Sequence, residues 1–79
     1  MSPALLSAQI RDRAAVKRRA ADAAVELASA IPVGSVANED RRLSLAAAYN
    51  ELVRDERALL RLADEADRYA ALGVTGRAR

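Results

Sequence analysis

The sequence predicts an all-α protein: two long helices folded back on each other as an antiparallel, coiled-coil-like hairpin, two copies of which dimerise into a four-helix bundle. Three observations carry that prediction. The 79 residues include 20 Ala, 10 Leu and 12 Arg, all strong helix formers, against 6 Val and 2 Ile for a sheet. Proline and glycine are confined to Pro3, to Pro32 and Gly34 in mid-chain, and to Gly73 and Gly76. On both sides of the central break, apolar residues recur with helical spacing.

The elements follow in chain order within a single domain, 1–79. Ser2 is a suitable N-cap and Pro3 a suitable first helical residue, because its missing N–H is not needed there. No breaker follows until Pro32, which cannot continue a helix and pushes Ile31 away from helical geometry, so the first helix is expected over 3–31. The connection covers 32–37. Asn38 is read as the cap of a second helix over 38–72, with Glu39 and Asp40 in a first turn whose free N–H groups favour carboxylates. Gly73 fits the left-handed position that ends many helices, Val74 fits the apolar contact beside it, and 73–79 is expected to be a flexible tail. A six-residue connection between two such helices implies an antiparallel hairpin.

Advancing 100° per residue, the second helix gathers Leu45, Ala48, Tyr49, Leu52, Val53, Leu59, Leu60, Ala63, Ala66 and Ala70 on one face, with Arg54, Arg57, Arg61 and Arg68 on the far side. Asp64 stands i,i+4 to Arg68 and could pair with it. The first helix is read as gathering Leu5, Leu6, Val16, Ala20, Ala23, Ala24, Leu27 and Ile31. Each stripe holds a charged intruder: Arg13 in the first, with Lys17 nearer its edge, and Glu56 in the second. A fold-back about residues 34–35 makes facing residue numbers add to roughly 69, which sets Arg13 opposite Glu56 as a pair fixing register.

A second face of the first helix carries Ala14, Ala21 and Ala28 in a seven-residue row, with Val25 beside them. Small residues in such a row allow close helix approach, so these four, with Leu62 and Tyr69, are the expected partner or dimer interface. Energetics point the same way. A globule of this mass hides roughly 7,600 Å², worth about 115 kcal/mol if 60% of it is apolar. Ordering the chain costs about 120 kcal/mol. A solitary copy is therefore marginal, and a homodimer, a larger protein partner, or both are expected.

The chemistry is restricted by composition. With no His and no Cys, the chain lacks imidazole and thiolate ligands, the usual nucleophile–base pairs and any disulfide. It has no Gly-rich phosphate loop, and its carboxylate pairs Asp55–Glu56 and Asp64–Glu65 read as solvated helix charges. No catalytic, cofactor-binding or metal-binding residue is assigned, no small-molecule substrate is expected, and an enzyme is not. No apolar run approaches the length of a membrane span and the start lacks a signal-peptide pattern, so a cytoplasmic chain without membrane association is expected. Arg in place of Lys, together with the Ala excess, points to a GC-rich bacterial or phage genome.

The expected function is thus a non-enzymatic helix-docking module, such as an adaptor, assembly factor or regulatory subunit. The alternative is a small DNA- or RNA-binding regulator. Net charge is +2, and the excess lies in 11–19, where Arg11, Lys17, Arg18 and Arg19 are the candidate phosphate contacts, with Arg41, Arg42, Arg77 and Arg79 as additions.

Overall fold

Two helices make up the architecture: α1, Pro3–Ala30, and α2, Val36–Arg77. The computed structural model describes residues 3–77 and the side chains of residues 5–72; within these there is no strand. The helices lie antiparallel along a rod of 67 × 14 × 13 Å. The expected Ser2 cap, the Val74 contact and the Arg77 and Arg79 side chains lie outside the described residues.

The connection is shorter than the sequence implied, and its cap is a different residue. Ser35 Oγ accepts from the Asn38 backbone N–H at 3.1 Å, and the Ser35 carbonyl accepts the first α-helical bond, from Glu39, at 3.0 Å. Ser35 is therefore the N-cap, and Asn38 sits three residues into the helix. The Asn38 amide is used elsewhere: Nδ2 donates to the Pro32 carbonyl at 3.1 Å. Arg42 Nη2 donates to the Ile31 carbonyl at 2.6 Å, placing a cation at the negative end of α1. Gly34 turns the chain with φ +116°, where a side chain would be strained although nothing within 4 Å would obstruct its Cβ. At the other end α2 continues through Gly73 to Arg77 rather than stopping at residue 72. A glycine lowers helix propensity by about 1 kcal/mol but does not by itself terminate a helix.

The seam between the helices is built differently from the expected one. On α1 the inward row is Ser7, Ile10, Ala14, Lys17, Ala21, Ala24, Ala28 and Ile31, alternating steps of three and four. Ser7, Ile10, Ala14, Ala21 and Ala24 are buried. On α2 the matching row runs from Asn38 and Arg42 through Leu45, Tyr49, Leu52, Glu56 and Leu59 to Ala63, Ala66 and Ala70. Facing residue numbers add to 73, as in the Ile31–Arg42 hydrogen bond. The α2 stripe was therefore legible, Leu60 excepted, since that side chain is exposed.

Of the α1 stripe only Ala24 and Ile31 lie in the seam. Leu5, Leu6, Val16, Ala20, Ala23 and Leu27 are all exposed, whereas Ala14 and Ala21, expected to face a partner, are 2% and 0% accessible and Ala28 is half-buried. The physical reason is fit. The small row keeps its phase over the whole of α1 and lets the backbones come close, so that Leu45, Tyr49, Leu52 and Leu59 of α2 fill the space the alanines leave. The bulkier set drifts in phase and would hold the helices apart.

In this register Glu56 does not meet Arg13. Its Oε1 lies 3.5 Å from Arg18 Nη1, and Arg13 is exposed, one position before the seam residue Ala14. The expected facing number was one helical turn too small, because the first turn of α2 serves to close the connection before the seam begins.

Candidate interaction surfaces

Four ion-pair contacts across the seam tie the basic segment of α1 to acidic residues of α2. Arg11 Nη2 lies 2.6 Å from Asp67 Oδ2 and 3.2 Å from Asp64 Oδ1, while its Nη1 donates to Ser7 Oγ at 3.3 Å. Lys17 Nζ lies 3.6 Å from Asp55, and Arg18 joins Glu56 across the seam to Asp22 on its own helix, both at 3.5 Å. The hydrogen bond from Arg11, then one from Ser7, then the guanidinium charge hold the Asp67 carboxyl below the usual carboxylate range. The hydrogen bond to Asp67 likewise raises Arg11 above the ordinary arginine value. Of the four cations proposed for nucleic acid, Arg11, Lys17 and Arg18 are thus occupied in fixing the hairpin, and Arg19 is exposed outside these pairs. Because Arg11 takes Asp64, the expected Asp64–Arg68 pair within α2 gives way to it.

With small residues taking the α1 half of the seam, several of the larger apolar side chains are left outside. Leu6, Ile10 and Arg13 of α1, with Leu62, Glu65, Ala66 and Tyr69 of α2, line one shallow apolar groove. Leu62 is 49% and Tyr69 71% exposed. Leu27 falls on the same flank nearer the connection, where it lines a second recess with Ile31, Arg41 and Leu45. Val25 is on the opposite flank, in a groove with Ala24, Ala28, Arg42 and Tyr49. The six residues expected to form one interface are therefore divided among the seam and two flanks: Leu62 and Tyr69 share one groove, and Val25 shares another with Ala28.

A third surface is basic, and it lies on α2. Arg54, Arg57 and Arg61 share one groove with Tyr49, Asn50 and Val53, and no acidic side chain lines it. Arg54 and Arg57 are i,i+3 neighbours and Arg57 and Arg61 i,i+4 neighbours, arrangements that destabilise a helix by about 0.2–0.5 kcal/mol each. None of the three enters an ion pair among the described residues; of the two acids one turn beyond Arg61, Asp64 is held by Arg11 and Glu65 lines the opposite groove with Leu62 and Tyr69. The helical spacing alone sets these arginines on the outer side of α2; that they stay unpaired depends on which acids the hairpin consumes.

No family model, curated protein or solved structure matches this chain. Among the described residues no helix is long and apolar enough to cross a membrane, and no group of three or more His, Cys, Asp or Glu could hold a metal ion.

Proposed function

We propose that this chain is a non-enzymatic helical interaction module that docks a second copy of itself along the flank carrying Leu6, Leu62 and Tyr69, forming a four-helix assembly on which larger partners are built. The observation that carries the reading is the displacement of bulk to the outside: an alanine-rich seam on α1 leaves Leu6, Leu62 and Tyr69 exposed on one groove. The accessible surface supports it. At 6036 Å² the chain exposes about 1,400 Å² more than a compact globule of 8.4 kDa. A standard interface takes about 800 Å² from each partner, so the excess is large enough to supply one.

The groove also suits self-complementary docking. It carries one basic and one acidic side chain, Arg13 and Glu65, beside its apolar residues. About a two-fold axis, Arg13 of one copy would face Glu65 of the other while the Leu and Tyr side chains meet between them. The test is solution mass by light scattering or sedimentation. The wild type is expected near twice 8.4 kDa. Leu62→Glu is expected at monomer mass with its helical circular dichroism retained, because Leu62 lies outside the seam. A monomeric wild type, or a Leu62→Glu variant that still dimerises, overturns the reading.

A further inference from the structure

We infer that the outer face of α2, through Arg54, Arg57 and Arg61, binds the phosphodiester backbone of nucleic acid without reading its sequence. Three observations combine. The three guanidinium groups line one groove together with the Asn50 amide, so their donors converge on a common strip rather than spreading around the helix. From Arg54 to Arg61 the strip is about 10 Å long at 1.5 Å per residue, enough to meet several backbone phosphates. Asp64, i,i+3 to Arg61, is drawn to Arg11 across the seam, and among the described residues no ion pair joins Arg61 to Glu65 or Arg54 to Glu51, so the three guanidinium groups stay unneutralised in the fold.

Like charges held at helical neighbour spacing and joined to no acid among the described residues are locally unfavourable, and such exceptions mark places where a ligand supplies the missing partner. Arginine suits phosphate, because its planar fork donates two parallel hydrogen bonds to one anion. A membrane surface fits less well. The groove's apolar residues, Tyr49 and Val53, are half-buried against α1 and would not insert among lipids.

This inference does not rest on self-association, since the stripe lies away from the Leu62–Tyr69 flank. The test is fluorescence anisotropy of a short labelled duplex of mixed sequence, titrated with the full chain at several salt concentrations. Three phosphate contacts give a slope of log K against log salt of about −2.7, which is about a 40-fold loss of affinity from ~50 to ~200 mM. Arg54→Gln/Arg57→Gln/Arg61→Gln is expected to abolish binding while retaining the wild-type circular dichroism. The single change Arg57→Gln should flatten the slope by about one and keeps the test sound if the triple variant loses helix. Arg19→Gln, an exposed change outside both the stripe and the Leu62–Tyr69 groove, should leave the slope unchanged. Absence of binding at the lower salt, undiminished binding by the triple variant, or capture by phosphatidylserine vesicles in place of duplex each overturns the inference. Retained duplex binding by Leu62→Glu separates it from the dimer proposal.

Discussion

Ala21→Leu tests the seam most directly. Ala21 is 0% accessible and sits on α1 between two other buried alanines, Ala14 and Ala24, with the register placing Leu52 opposite. Leucine adds three carbon atoms at a point with no free surface. The neighbouring alanines hold the backbones close on both sides, so the helices cannot part at one residue without breaking contacts at the next. Overpacking of this kind costs about 1–3 kcal/mol. For a chain of this size each kcal/mol moves the midpoint of thermal unfolding by about 4–8 °C, so a 2 kcal/mol cost lowers Tm by ~8–16 °C. Ala23→Leu supplies the control: Ala23 is exposed, and its change is expected to stay within about 0.5 kcal/mol of wild type. Thermal circular dichroism at one fixed protein concentration measures both, because self-association would make Tm depend on concentration. Equal Tm values for the two variants, or a more stable Ala21→Leu, would refute the close alanine seam.

Two further outcomes follow from the same geometry. Asp67 titrates below its ordinary value in the folded state, so its ion pair with Arg11 adds stability above the unfolded carboxyl pKa of about 4, and that stability is lost as pH falls through the folded value. Urea midpoints measured from neutral pH into this acid range should fall less steeply for Asp67→Asn than for wild type; parallel curves would contradict the pairing. Arg42→Ala removes the donor at 2.6 Å from the Ile31 carbonyl and is expected to cost about 1–2 kcal/mol in urea unfolding, whereas Arg41→Ala, on the exposed side of the same turn, should be close to neutral.

The connection shows how a correct local reading can still misplace a register. Pro32 and Gly34 mark the turn plainly, but Ser35 and Asn38 both suit an N-cap, and the choice moves the start of α2 by two to three residues. Register, in turn, decides partners. The slip sets Arg18 rather than Arg13 beside Glu56, and a change of phase on α1 turns Ala14, Ala21 and Ala28 from the surface toward the core. On α2 the stripe survived the slip, because Leu45, Leu52 and Leu59 are large and only one phase gathers them. On α1 two phases compete, one bulky and irregular, the other small and regular, and composition alone favours the wrong one.

Helix content, a single fold-back and antiparallel direction were determined by the sequence alone, since each depends on local propensity and on where Pro and Gly stand. Which face of α1 is inside, which acids neutralise which arginines, and hence which charges and leucines remain available to another molecule were decided by tertiary structure. Those outcomes depend on how closely two particular helix surfaces approach, and neither helix carries that distance within itself.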